Sequence, residues 1–211
     1  MVPLGVDLER FSPENRERHG SQVRRELNIP EGAFVMLFVG ASWLRKKLHL
    51  VINSLAVMKN AHIYLVIVGQ GSMAELGPYL RDDIDWDKVR FVPPAECIER
   101  YYAVGDVLVL PSSYETFSRV SYEAAASGLP VLATKLPGIE DLIEDGVNGF
   151  FLQPDAQHIA TKVACLFSNP QLRKQMGVRA REKAMRGSSD PVMKLRNSAP
   201  VNASSSLKTP L

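Results

Sequence analysis

The sequence predicts an α/β protein in which a parallel sheet carries helices on both faces. Three observations point to it. Phe34–Val39 and Ile63–Val68 are apolar throughout, as strands buried on both faces must be, and four shorter strand-like segments follow them. Between these runs lie segments with apolar residues at helical spacing. The connections are short and the first two runs close on glycine, a pattern of alternating strand and helix that belongs to parallel sheets.

The elements are justified in order. Phe11-Ser12-Pro13 reads as a turn, and Ser21–Leu27 as a short charged helix ended by Pro30-Glu31-Gly32. The first strand, Phe34–Val39, closes on Gly40. A basic loop, Arg45-Lys46-Lys47, leads to a helix whose Leu48, Val51, Ile52, Leu55 and Met58 share one face. The second strand, Ile63–Val68, ends at Gly69-Gln70-Gly71, a tight turn too short for a dinucleotide fingerprint. Ser72 is the expected N-cap of a helix to Leu80. Val89–Val92 is a third strand, followed by a helix over 95–104. Val107–Leu110 is a fourth, followed by a helix over 118–127, and Val131–Thr134 is a fifth. A turn at Gly138 and a short helix precede the sixth, Phe150–Leu152. Helices over 155–168 and 170–185 follow, with Ile159, Val163, Leu166, then Leu172, Met176 and Ala180 inward. From Gly187 the sequence turns Ser-, Pro- and Asn-rich, so 1–186 is the expected domain and 187–211 an expected disordered tail.

Composition narrows the classes. The net charge is +2 in 211 residues, but residues 173–211 hold 9 of the 25 basic side chains and only 2 of the 23 acidic ones. A solvated helix face plus tail accounts for this; an anionic surface is the other reading. Cys97 and Cys165 are far apart with no Cys/His cluster around them, which argues against zinc and for two buried thiols in a reducing, cytoplasmic setting. No apolar run reaches the ~18 residues of a membrane span. Asp82–Asp87 reads as a solvated connector rather than a metal loop, and the four histidines have no ligand or nucleophile partners in sequence.

In such sheets ligands bind beyond the C-terminal strand ends. The loops there bring Gly40, Arg45 and Lys46 together with Glu115 and the helix start near Ser118. Two cations and a helix N-terminus suit a phosphate or diphosphate. Glu115 and Glu123 repel phosphate but accept hydrogen bonds from sugar hydroxyls. A nucleotide-diphosphate sugar satisfies all of these groups.

Glu115-Thr116-Phe117-Ser118-Arg119-Val120-Ser121-Tyr122-Glu123 resembles the E-x7-E signature of retaining glycosyltransferases of family 4, which have the GT-B fold. Val2–Asp7 with Phe11-Ser12-Pro13, Phe38-Val39-Gly40 with Arg45-Lys46, Ile67–Gly71, Asp106 through Ser112, Glu123–Val131, Asp145–Gly149 and Asn169–Gly177 resemble further family segments in order. The likeness covers about residues 2–186. It implies a Rossmann-like domain, the C-terminal, donor-binding half of a GT-B enzyme. It implies that Arg45 and Lys46 bind the donor diphosphate and stabilise the leaving group, aided by the amides of Ser118, Arg119 and Val120 and by the Thr116–Phe117 loop. Gly40 would let the loop approach the donor, Glu115 would contact the transferred sugar, Glu123 would hold the ribose, and Pro94, Ala95 and Glu96 would border the base. Catalysis would rest on Glu115, Arg45 and Lys46, with no metal or other cofactor.

This sequence departs from the family pattern where Lys47 replaces a usual glycine, Ala41 a common arginine, Ser118 a common glycine and Pro137 the first of a glycine pair. The Arg-Lys pair is more like the lipopolysaccharide-core branch. No segment matches the N-terminal domain that supplies the acceptor site. The expected partners are therefore a nucleotide-sugar donor and an N-terminal half in cis or trans. Peripheral membrane contact of a full enzyme fits the basic end, and nucleic acid is not expected. Two rival expectations are a non-catalytic nucleotide-sugar module or split-enzyme half, and a GT-B epimerase, for which no further motif is found.

Overall fold

A computed structural model describes residues 6–189. Six parallel strands, β1 (Phe34–Val39), β2 (Ile63–Val68), β3 (Val89–Val92), β4 (Val107–Leu110), β5 (Val131–Thr134) and β6 (Gly149–Leu152), form one sheet in the order β3-β2-β1-β4-β5-β6. This is a Rossmann-like α/β fold. All residues of β1, β2 and β4 are buried, which explains their unbroken apolar sequence. The order reverses between β1 and β4, which pair through Met36–Val107 and Leu37–Leu108. From that switch point one crossover runs outward to β2 and another the opposite way to β5. Right-handed connection puts their helices on opposite faces. These are α2 (Leu48–Met58) and α5 (Arg119–Ala126). Helix α6 (Ala156–Ser168) packs on α2, and α7 (Pro170–Ser189) packs on α5.

Strands and long helices fall where the sequence puts them, and three short helices do not. Helix α1 (Ser21–Glu26) continues a single π-helical turn, Arg16–Gly20. Helix α3 is only Met73–Leu76; Ser72 caps it, accepting from the Glu75 amide at 3.3 Å, but Gly77-Pro78 turns the chain into a 3-10 segment. Pro78 has no amide to continue the ladder. Helix α4 is Glu99–Tyr102 rather than 95–104, because the Glu96 carbonyl accepts from the Arg10 guanidinium instead of from the helix. The helix expected after Gly138 is a chain of turns. Asn148 stops it, its side-chain amide donating to Leu142 O at 2.9 Å and its side-chain oxygen accepting from the Glu144 amide at 2.8 Å. Cys97 and Cys165 are exposed, not buried as the sequence suggested. Helix α7 carries on to Ser189, and the remainder of the tail lies outside the described residues.

Helix α5 reaches the core because it is built from small residues: Ser121 and Ala124–Ala126 are buried. It ends in a Schellman pattern, Gly128 N–H to Ala125 O at 2.9 Å and Leu129 N–H to Ala124 O at 3.0 Å, with Gly128 at φ +76. Helix α7 then lies so close that a Cβ on Gly177 would stand 2.1 Å from Gly128 O. Gly177→Ala sets a helix-propensity gain of about 1 kcal/mol against a clash with backbone. The clash wins, and urea unfolding is expected to show a net loss of roughly 1–2 kcal/mol.

Candidate functional site

The loops after β1 and β4 meet at the switch point. Lys46 and Glu115 form the central contact, Nζ to Oε1 at 2.6 Å, with only 8% and 10% of their side chains exposed. Ser112, to which the sequence reading gave no role of its own, donates to the same Oε1 at 2.8 Å. The loops are also joined through main chain: Arg45 donates to Tyr114 O at 3.0 Å, and the Ser113 amide donates to Arg45 O at 3.1 Å. Arg45 itself is exposed. Thus Arg45, Lys46 and Glu115 are brought together as predicted, but the lysine is already paired to the glutamate.

Gly40 is needed for a reason the sequence did not reveal. At φ +148, a Cβ there would stand 2.6 Å from Lys46 Cε and 2.7 Å from Cδ. The missing side chain makes room for the lysine stem. Gly69 makes the same kind of room for the backbone of Gly40, whose carbonyl oxygen would lie 2.2 Å from an added Cβ. Lys47 adopts the left-handed conformation, φ 52 and ψ 40, directly before α2. That is the position where a glycine would be unstrained.

Glu123 is buried on α5. Its Oε2 accepts from Tyr102 at 2.9 Å, and its Oε1 lies 3.6 Å from Arg119 one turn back. The fully buried Tyr102 phenol is held well above its ordinary value of 10.0, first by burial, then by the charge of Glu123 and its hydrogen bond. Arg10 ties the N-terminal segment to the loop after β3 and to α4. It bonds Glu99 at 2.8 Å and the Glu96 carbonyl, and Glu123 adds to the charge that raises its guanidinium pKa after the Glu99 bond and against burial. Pro94 and Glu96 are exposed beside it and Ala95 is half-buried. Tyr102 is a neighbour that no sequence spacing could place against Glu123.

At the start of α5, Ser118 is buried and its hydroxyl meets that of Ser121 at 2.8 Å. The Arg119 amide turns back to Phe117 O at 3.0 Å, so it is not aimed outward like the usual first-turn amides. Thr116 is exposed, and Val120 is half-buried. Phe117 stacks on Tyr122 at 4.9 Å. Among the described residues no group of three or more His, Cys, Asp or Glu could hold a metal ion, and no helix is long and apolar enough to cross a membrane.

A Rossmann-like sheet with a buried cation and two carboxylates at its switch point defines the C-terminal domain of a GT-B glycosyltransferase. The chain belongs to the family described as glycosyl transferases group 1, whose pattern matches residues 21–183. It is similar to a D-inositol 3-phosphate glycosyltransferase of Geodermatophilus obscurus, 33% identical over 167 residues, covering 72% of this chain and 36% of that protein. The chain thus spans well under two thirds of that curated relative. Among solved structures it is similar to Anabaena Alr3699/HepE in complex with UDP and glucose, with a TM-score of 0.76 and 25% identity, over 86% of this chain and 50% of that one. It is also similar to the C-terminal domain of LpcC, a glycosyl transferase group 1 family protein of Francisella tularensis. There the TM-score is 0.73 at 25% identity, covering 86% of this chain and 97% of that one.

Two outcomes test the site's construction. Lys46→Met leaves Glu115 buried without its counter-charge and should cost about 3 kcal/mol in denaturant unfolding, while Lys46→Met with Glu115→Leu should cost much less than the two singles added. Strict additivity would show the pair to be uncoupled. Lys47→Gly relieves the left-handed strain and should stabilise by roughly 0.5–1 kcal/mol in the same assay, the strain relief exceeding glycine's entropy cost.

Proposed function

We propose that this domain binds a nucleotide-diphosphate sugar and presents it for retaining transfer of a hexosyl group. The observation that carries this is the Lys46–Glu115 contact beside the α5 N-terminus, at the point where Rossmann-like sheets hold nucleotides. Arg45 and Lys46 neutralise the diphosphate and the charge that grows on it as the sugar leaves. The Ser118 and Val120 end of α5 adds its positive dipole. Glu123, fixed from behind by Tyr102, accepts from ribose hydroxyls, and the Pro94–Glu96 loop borders the base. Glu115 faces the sugar. In the family reaction that this sequence resembles, the donor phosphate accepts the acceptor's proton on the front face as the sugar–phosphate bond breaks, and Glu115 orients and stabilises the sugar without forming a covalent bond to it. Protein cations carry the charge in this reading, with no metal assigned.

The UDP and glucose complex of the Anabaena protein supports uridine nucleotides as the first probe, and the match to a D-inositol 3-phosphate glycosyltransferase supports a hydroxylated acceptor. The acceptor site belongs to an N-terminal half in cis or trans. A donor-binding module that needs such a partner is the second reading. The match to 97% of a C-terminal domain solved by itself supports independent folding of a domain of this kind.

Calorimetry with UDP, GDP, ADP and their sugars tests the donor site. Saturable binding of one nucleotide series is expected, with Glu123→Ala weakening it about tenfold through loss of the ribose hydrogen bonds. A folded sample that binds none of them at millimolar concentration would overturn the reading. Sustained transfer by the isolated chain would overturn the module alternative.

A further inference from the structure

The other end of the sheet carries a second charged cavity. Phe34 opens β1 and Asp106 immediately precedes β4, so a cavity of about 420 Å³ lined by both lies at the N-terminal strand ends. A six-residue strand separates it from the Lys46–Glu115 rim by roughly 20 Å. Three guanidiniums from three separate elements line it: Arg16 from the π turn, Arg24 from α1 and Arg173 from the first turn of α7. All three converge on the one buried carboxylate of Asp106, at 3.4, 3.5 and 3.8 Å.

These are long contacts for charge-assisted hydrogen bonds. Asp106 already accepts from the Val35 amide at 2.9 Å, which anchors its Oδ2. Glu31 is the other acidic residue on the lining, so three cations face two carboxylates. The arginines hold their places by main-chain bonds and stacking. Arg16 donates to Gly105 O, Arg24 to Ala33 O at 2.8 Å, and Arg173 to Leu166 O at 2.9 Å, with its guanidinium 5.1 Å over the Phe34 ring. They are therefore fixed in position while their charge is only partly neutralised. Pro170, the first residue of the 20-residue α7, adds the positive end of a helix dipole to the same wall.

We propose that this cavity binds a soluble phosphate-bearing small molecule, the phosphoryl group bridging Arg16, Arg24 and Arg173. Planar five-donor guanidiniums match phosphoryl oxygens in pairs. The volume suits a phosphate ester or diphosphate. The placement is independent of the donor site.

The test is an NMR titration of the chain with inorganic phosphate and with inorganic pyrophosphate, following the amides of Gly20, Gly32, Ala33 and Ala103. Saturable shifts of these amides are expected. Arg16→Gln, whose side chain is 47% exposed, should weaken binding about tenfold while leaving the rest of the spectrum unchanged, and Arg173→Gln should do the same. Arg45→Gln, on the opposite rim, should leave the cavity titration as it is. Three results would overturn the proposal: no shift of the cavity amides at tens of millimolar, a midpoint unchanged in both cavity variants, or shifts confined to the amides around Gly40 and lost in Arg45→Gln.

Discussion

The Lys46–Glu115 contact is the constraint around which the C-terminal rim is arranged. At 2.6 Å and almost wholly buried, it depends on several features at once. β1 and β4 must be neighbours, or the two loops would not meet. Gly40 must lack a side chain so that the lysine stem can cross it. The chain must turn sharply after Lys46, which it does through the left-handed Lys47. The Ser113 amide and Arg45 carbonyl lock the loops in register. A buried ion pair of this kind is costly to break from one side, because the survivor keeps its desolvation penalty. The loop geometry and the charge pair therefore maintain each other.

This has a consequence for any anionic ligand. Lys46 is not a waiting cation but one already satisfied, so a phosphate must compete with Glu115 for it. Such an exchange is tolerable only if Glu115 gains replacements at the same moment. Ser112 already donates to Glu115 at 2.8 Å and replaces nothing, so the replacements are ligand hydroxyls. A sugar diphosphate offers an anion for Lys46 and sugar hydroxyls for Glu115 together. Selectivity for the conjugate over its parts can thus arise from the resting pair itself.

Much of this was legible in the sequence because parallel strands and amphipathic helices write their burial directly. β1 and β2 could be bounded to the residue, since an apolar run flanked by glycine has few other readings. The Glu115 to Glu123 segment could be placed on a loop and a helix for the same reason. What was hidden are contacts between distant segments. Nothing near Glu96 announces that Arg10 takes its carbonyl and shortens α4. Nothing near Glu123 announces Tyr102. Gly40 was visible as a glycine at a strand end, but the lysine stem that its missing side chain admits was not. The left-handed Lys47 was visible only as the residue standing where relatives carry glycine.

The two poles of the sheet treat charge by opposite rules, and the difference follows from how their partners are supplied. At the C-terminal rim one cation meets one carboxylate at hydrogen-bonding distance, with a hydroxyl completing the shell. At the N-terminal end three arginines share one carboxylate at 3.4 to 3.8 Å, each pinned elsewhere by a main-chain carbonyl. Asp106 cannot draw any of them closer without giving up the Val35 amide or a second arginine. Geometry frustrates neutralisation there, whereas at the rim geometry completes it. A matched pair favours selectivity, because a ligand must replace both partners. A frustrated cluster favours affinity for any compact anion, because adding charge relieves repulsion that the fold has already built in.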